Sequence, residues 1–340
     1  MKKLWIYYWK KNRIVVLYLI GVLLFIVALL FGFMLGNTRI SFTEMIEAAK
    51  SGFNNSSTGR IFIYVRLSRT IASIVCGAAL AVAGVLIQGV LANRLASPSV
   101  IGVNAGAGLA VTVCSALGLY SGWTVSVFAF LGAFLTVMAV SLVSRKWGAS
   151  RGTVILIGVA VNSLLGAVSD SIVTFIPEVG IISNDFKVGE FASVTYERLI
   201  PAAILILITI FVSTTLSNEL DVLTLGEETA RSLGMNASVM RIVFLALAAL
   251  LAGCAVSLAG LLSFVGLIIP HIIRRMVGSK SIHLLGLSTL YGSSFVCICD
   301  TIARTAFSPY EIPVGIIMAF LGAPFFVFIL VKGKGGHRSD

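Results

Sequence analysis

Residues 95–144 read LASPSVIGVNAGAGLAVTVCSALGLYSGWTVSVFAFLGAFLTVMAVSLVS, a stretch of fifty residues without Asp, Glu, Lys or Arg. A helix needs about 20 apolar residues to cross the hydrocarbon core of a bilayer, so this stretch is long enough for two spans. Gly118 and the pair Ser121-Gly122 indicate a turn near its middle, because glycine and serine cluster where a chain changes direction. The stretch therefore predicts two membrane helices, at about 99–118 and 123–144.

The rest of the 340-residue chain has the same composition. It is 58% hydrophobic and 11% charged, whereas soluble domains carry about 25% charged residues. Backbone polar groups in lipid are satisfied only by helices or closed barrels. We therefore expect an all-α polytopic membrane protein, a single domain over 1–340 with about ten transmembrane helices. Besides the two already given, the expected spans are about 14–36, 67–91, 152–176, 199–217, 239–259, 264–277, 282–303 and 313–331.

Lysine and arginine set the expected orientation, because they are enriched on the cytoplasmic side of membrane proteins. With the N-terminus inside, the inner segments carry 17 of the 25 basic residues. This excess predicts that both termini are cytoplasmic. The net charge of +11 thus reflects membrane orientation, and no basic module of a nucleic-acid-binding protein is visible. Residues 81–86 and 257–262 are similar but lie on spans of opposite direction, which indicates a possible inverted repeat.

The sequence contains no pattern that predicts catalysis, a resident metal or a cofactor. It lacks the phosphate-binding GxxxxGK[ST] motif and the HExxH zinc motif. The five cysteines lie inside apolar runs without metal-ligand spacing to histidines, and buried thiols commonly act as small apolar groups. We therefore expect a protein that is not an enzyme, with neither catalytic nor metal-binding residues.

The segment 218–238, called the polar segment below, interrupts two membrane-length apolar runs on the predicted cytoplasmic side. Its centre reads LGEETARSLG and consists of two short helical pieces broken by glycines. Carboxylates at the start of a helical turn suit the helix dipole. The segment is either an ordinary connecting loop or a docking surface for a partner protein. The residues of the docking interpretation are Leu225, Gly226, Glu227, Glu228, Ala230, Leu233 and Gly234, with Leu225, Ala230 and Leu233 as an apolar contact stripe.

Several arginines lie on the predicted outer side, although most basic residues of the chain lie on the predicted cytoplasmic side. Arg66 and Arg69 begin the second span, and Arg304 ends the ninth. Exposed guanidinium groups suit pairing with carboxylates of a partner, but they also suit lipid headgroups. Asp300 precedes Arg304 by one helical turn, so an internal pair is a third possibility. Pro270 kinks the eighth span, and the adjacent His271 either relays protons or bonds a neighbouring helix.

Taken together, these blocks resemble the permease subunits of the iron-siderophore and cobalamin family of ATP-binding-cassette importers (FecCD-like, type II importers). The resemblance runs through nearly the whole chain. Two departures are Arg94, where the family has proline, and the stretch 186–191 with Tyr196, where the family has tryptophans. The blocks that carry the resemblance are RLSRT at 66–70, GAALAVAG at 77–84, NRLASP at 93–98, LGEE at 225–228, the run 264–278, EIPVG at 311–315 and GAPFF at 322–326.

The resemblance implies the partners. They are a second permease subunit (identical or paralogous), two cytoplasmic ATP-binding subunits that contact 221–234, and an extracytoplasmic binding protein that docks at Arg66 and Arg304. Arg69 is expected to belong to the same docking site as Arg66 and Arg304. The resemblance also implies that the protein lies in the bacterial cytoplasmic membrane. Ferric siderophore is the expected cargo, with heme and cobalamin as alternatives. A secondary transporter coupled to ions through Asp300 and His271 remains the alternative of a different class.

A ferric siderophore carries its own iron ligands, so a wide pathway of small and weakly polar side chains suffices for it. The fifth span offers such residues at roughly helical intervals. The alternative is that these small residues allow close helix packing. The candidates for the translocation pathway are Asn162, Ser163, Gly166 and Ser169.

Overall fold

The computed structural model describes residues 2–36 and 56–334, with side chains described for 13–36 and 56–328. The orientation prediction rests partly on residues beyond these limits. Arg39, Lys50 and Arg338 lie outside the described residues, and the side chains of Lys2, Lys3, Lys10, Lys11, Lys332 and Lys334 are likewise not described.

All regular secondary structure in the described residues is helical, and these residues contain no strand. A π-helical stretch, Ile61–Leu67, lies inside the second helix, and a short 3₁₀ turn, Pro98–Ile101, precedes the third. The helices are α1 Lys2–Met34, α2 Ser57–Leu91, α3 Val103–Ala116, α4 Gly122–Lys146, α5 Arg151–Phe175, α6 Val179–Val188, α7 Tyr196–Thr215, α8 Ser217–Thr224, α9 Glu227–Ser232, α10 Ala237–Ala259, α11 Val265–Val277, α12 Ser281–Thr305 and α13 Val314–Lys334.

The expectation of an all-α polytopic membrane protein is confirmed. Seven described helices are long and apolar enough to cross a membrane, and shorter apolar helices accompany them. These seven are α1, α2, α4, α5, α7, α10 and α12. A helix also lies in each of the three remaining ranges expected to span, namely α3, α11 and α13.

The centre of the molecule is formed by α2, which packs against α10, α11 and α12. Its 77–84 stretch consists of glycine and alanine apart from Leu80 and Val82, and all eight residues are buried. A Cβ atom built on Gly84 would overlap the carbonyl oxygen of Gly266 in α11, so the two backbones touch. Small residues permit this approach, which is how helices pack in a bilayer without a hydrophobic driving force.

Hydrogen bonds from side chains join the helices across this core. Gln88 Nε2 on α2 donates to the Gly266 carbonyl at 3.3 Å, and Ser126 Oγ on α4 donates to the Ser257 carbonyl on α10 at 2.7 Å. The two bonds therefore tie α2 to α11 and α4 to α10.

The helices at the periphery expose apolar side chains. Only 17% of the most hydrophobic stretch of α1, and likewise of α5, is buried, in contrast to 83% in α2 and 67% in α10. In α13, Phe320 and Val327 are exposed as well. A membrane protein exposes such residues to lipid tails or to a partner subunit, so this pattern fits a chain that is surrounded by bilayer.

Candidate functional site

The polar segment folds as two short helices joined by a glycine. After α8, Gly226 adopts φ +120° and ψ 160°, a conformation that residues with a Cβ rarely adopt. The chain then turns directly into α9, whose first turn holds Glu227 and Glu228. At its far end the Met235 amide donates to the Ala230 carbonyl, with Gly234 at φ +82°. The expected helix–glycine–helix is thus present in the fold.

The outward face of the polar segment is apolar and acidic. Leu225 is 65% exposed and Leu233 is 63% exposed, and the Glu228 side chain is exposed beside them. An apolar surface rimmed by polar residues is the kind that a partner protein covers. Ala230, in contrast, is fully buried. The expectation that Ala230 belongs to the contact stripe is wrong, because α9 turns this residue toward the protein.

Glu227 is held within the chain by two arginines. Its Oε1 lies 2.9 Å from Arg231 Nη2, one helical turn away. Its Oε2 lies 3.0 Å from Arg241 Nη2 on α10. The two neighbouring glutamates therefore differ in role: Glu227 fastens α9 to α10, whereas Glu228 makes no ion pair with any described residue and points outward.

Two further contacts tie the polar segment to the membrane helices. Asp221 Oδ1 on α8 accepts the backbone N–H of Ser281 at 2.8 Å, which satisfies an otherwise unpaired donor at the start of α12. Arg151 Nη2, at the start of α5, donates to the Leu223 carbonyl at 2.9 Å. Leu220 and Leu223 are buried beneath. The segment is therefore fixed to α5, α10 and α12 at once.

The arginines at the opposite end of the molecule belong to a buried ionic network. Arg69 Nε lies 2.9 Å from Asp300 Oδ1, and Arg69 Nη1 lies 2.6 Å from Glu311 Oε2. Arg304 Nε lies 3.6 Å from Asp300 Oδ2. Asp300 is completely buried, and a buried carboxylate in a membrane protein requires such partners.

Two arginines also satisfy the carboxyl end of α1. Arg66 Nη1 donates to the carbonyls of Phe33 and Met34 at 3.2 and 3.1 Å, and Arg304 Nη2 donates to the Gly32 carbonyl at 2.8 Å. Cations suit this end of a helix, where carbonyls lack intrahelical donors. The expectation of exposed arginines is wrong for Arg66, Arg69 and Arg304, which are 3–5% exposed. Their docking role stays a prediction.

The four pathway candidates on α5 divide into two pairs. Asn162 Nδ2 donates to the Ser99 carbonyl at 2.8 Å, and the buried Ser169 lies 2.9 Å from Thr112 Oγ1 on α3. These contacts favour helix packing, rather than pathway lining, as the role of Asn162 and Ser169. Ser163 is exposed, and a Cβ on Gly166 would meet open space. Ser163 and Gly166 therefore remain the candidates that can line a pathway.

Several residues of these sites are not evident from the sequence. Arg241 follows Glu227 by 14 residues, and Ser281 follows Asp221 by 60 residues. No local spacing rule covers such distances, whereas the Glu227–Arg231 pair obeys the helical rule of four. From the sequence, Arg151 at the start of α5 looks like an ordinary anchor at the membrane interface. Its hydrogen bond to the Leu223 carbonyl is evident only from the structure. Only the fold brings these partners together.

Comparisons with known proteins agree with this architecture. The model of the FecCD transport family matches residues 23–332. The Fe(3+)-citrate import system permease protein YfmD of Bacillus subtilis (strain 168) is 33% identical over 94% of this chain and 95% of its own length. The hemin transport system permease protein HmuU of Yersinia pestis is 31% identical over 82% of this chain and 86% of its own length.

A solved structure gives the same result at the level of the fold. It is described as an inward-facing conformation of a metal-chelate type ABC transporter, and it superposes with a TM-score of 0.83 at 28% identity. The match covers 93% of this chain and 99% of that one. Because the family model and a relative above 30% identity both span most of the sequence, this chain belongs to the FecCD transport family.

Proposed function

We propose that this chain is the non-catalytic permease subunit of an ATP-binding-cassette importer. In this proposal two permease subunits, identical or paralogous, enclose the pathway. Two cytoplasmic ATPases supply the energy, and an extracytoplasmic binding protein delivers the cargo. Membership of a transport family supports the role in transport, and the remaining points rest on the physical arguments that follow.

The polar segment is the observation that carries the proposal. It presents Leu225, Glu228 and Leu233 outward, and its inward groups reach α5, α10 and α12 through hydrogen bonds and an ion pair. A displacement of the segment by a bound ATPase would therefore be transmitted to three membrane helices. Packed and hydrogen-bonded elements of this kind can carry coupling between distant sites.

The ion-coupled alternative receives less support from the geometry. In the ion-coupled alternative, Asp300 and His271 would have to exchange their ion with water. Asp300 is completely buried between Arg69 and Arg304, in the arrangement of a structural ion pair. His271 lies on α11, at the opposite end of the molecule from Asp300, among Arg94, Arg274 and Arg275. The two groups do not form a relay.

Docking of the binding protein at Arg66, Arg69 and Arg304 is proposed in a restricted form. Because these side chains are buried and already occupied, a carboxylate of the partner reaches them only if the surrounding surface opens. Glu311, whose side chain is 37% exposed, lies at the edge of this network. A partner would therefore meet the rim of the network before its centre.

For the cargo we propose a ferric siderophore, with heme and cobalamin as alternatives of similar bulk. The support comes from the exposed face of α5, where Leu156, Val159, Ser163, Ala167 and Ser171 lie. This face offers mainly apolar and hydroxyl groups, its carboxylate Asp170 is paired with Lys187, and the described residues hold no group of three or more His, Cys, Asp or Glu side chains that could bind a metal ion. Such a wall suits a cargo whose iron is already enclosed by organic ligands.

The experiment that tests the ATPase contact is a binding measurement with the cognate ATP-binding subunit. The double variant L225E/L233E should lose binding at least about tenfold, because a carboxylate at a desolvated contact is costly. The control is V239E, an exposed apolar residue at the start of α10, which should bind normally. Equal affinity of the wild type and the double variant would refute the assignment of the polar segment.

A further inference from the structure

A polar cavity lies behind the polar segment, between the inner ends of α4, α5, α9 and α10. Its volume is about 230 Å³, several times the roughly 30 Å³ that one water molecule occupies in the liquid. Polar side chains dominate its wall. They include Ser141, Ser144 and Arg145 from α4, Arg231 from α9, and Ser238 and Arg241 from α10.

Three hydrogen-bonding groups in this wall have no partner among the described residues. They are Ser141 Oγ, Ser144 Oγ and Arg241 Nε. Ser141 is 4% exposed and Ser144 is 5% exposed. A buried polar group without a partner costs about 1–3 kcal/mol. Three such groups around one cavity therefore indicate that the cavity accommodates something that bonds to them.

The charges of the wall specify the kind of ligand. Arg145, Arg231 and Arg241 contribute three positive charges, and Glu227 contributes one negative charge, which leaves two positive charges. Ser238 places the cavity at the amino-terminal turn of α10, where the helix dipole favours anions. Guanidinium and hydroxyl donors together match the oxygens of a phosphate group.

We propose that this cavity binds a phosphate group. The group comes either from free phosphate in the cytoplasm or from the headgroup of an anionic lipid of the inner leaflet. Glu227 already occupies the Nη2 atom of Arg241, so the ligand uses the Nε atom and the two serine hydroxyls. The negative charges of the ligand and of Glu227 then repel each other across one guanidinium group. Bound phosphate therefore weakens the Glu227–Arg241 ion pair, and the ion pair lowers the affinity for phosphate.

The test uses the purified full chain and radiolabelled inorganic phosphate in detergent micelles, and nanodiscs of phosphatidylglycerol or phosphatidylcholine for the lipid source. The double variant S141A/S144A should lower phosphate affinity about tenfold, because two hydroxyl donors are lost. E227Q should raise the affinity several-fold, since it removes the competing charge. Loss of an unpaired buried hydroxyl is nearly neutral for folding. E227Q gives up the ion pairs with Arg231 and Arg241, so its thermal unfolding is measured alongside and should show a folded protein.

The matched control is S288A, which removes another buried serine hydroxyl without a partner, on α12 and away from this cavity. It should leave phosphate affinity unchanged. If the phosphate group comes from a lipid, the protein should bind phosphatidylglycerol in preference to phosphatidylcholine and should not bind free phosphate. The variant S141A/S144A should lose this preference. The proposal is overturned if neither free phosphate nor phosphatidylglycerol binds saturably, or if the serine pair and E227Q leave that binding unchanged.

Discussion

At the residue scale, the arginines near the carboxyl end of α1 show how burial changes the meaning of a charge. Arg304 contacts Asp300 and the Gly32 carbonyl, and Arg66 contacts the last carbonyls of α1. Both side chains therefore stabilise the fold, independently of any role in docking. A charge reversal at either position would therefore disturb the protein before it disturbs a partner.

The variant R304Q separates these roles. It should lower the free energy of unfolding by about 3 kcal/mol, because Asp300 stays buried with one guanidinium fewer. Thermal unfolding of the purified chain in detergent measures this loss. The control R275Q changes an exposed arginine of α11 and should shift the unfolding temperature little. If R304Q unfolded like the wild type but bound the extracytoplasmic binding protein more weakly, docking would be the main role of Arg304.

At the scale of the elements, the spans are predictable and their connections are not. A bilayer demands about 20 apolar residues per helix, so charge-free runs reveal the long helices directly. The short α11 begins only after Phe264, which adopts φ +68° although it carries a bulky side chain. The contact of Asp221 with Ser281 spans 60 residues. Such features depend on tertiary partners, which no local pattern in the sequence encodes.

The contact between α8 and α12 gives a prediction about coupling. D221A should remove the acceptor of the Ser281 amide and cost about 1 kcal/mol locally, as the loss of a helix cap does. The ATPase should still bind, but less cargo should enter per ATP hydrolysed. Uptake and hydrolysis are measured together in proteoliposomes.

Two further variants at this contact sharpen the result. D221N should restore coupling, since the amide oxygen accepts the same hydrogen bond. N218A, an exposed neighbour on α8, should behave like the wild type. A normal ratio of uptake to hydrolysis in D221A would show that the contact has no part in coupling.

At the scale of the whole molecule, one face of α5 is left uncovered by the residues that the structure describes. Ser163 lies on this face, whereas Ser169 is turned against α3. The five native cysteines are buried and can be replaced first. S163C should then react with a membrane-impermeant thiol reagent in the assembled transporter, and S169C should react at least about tenfold more slowly, because reagents need an accessible thiolate.

Mass spectrometry of the labelled protein measures both rates in each nucleotide state. Equal protection of S163C and S169C in every state would show that α5 packs against lipid or a partner rather than lining a pathway.

The most direct test of the account is the energy source of transport. The chain, its cognate ATPase and its binding protein are reconstituted in proteoliposomes, and uptake of an iron-55 siderophore complex is measured with ATP inside and with a protonophore. The account predicts uptake that requires ATP, persists when the proton gradient is collapsed and disappears in L225E/L233E. Uptake driven by an imposed proton gradient without the ATPase would contradict it.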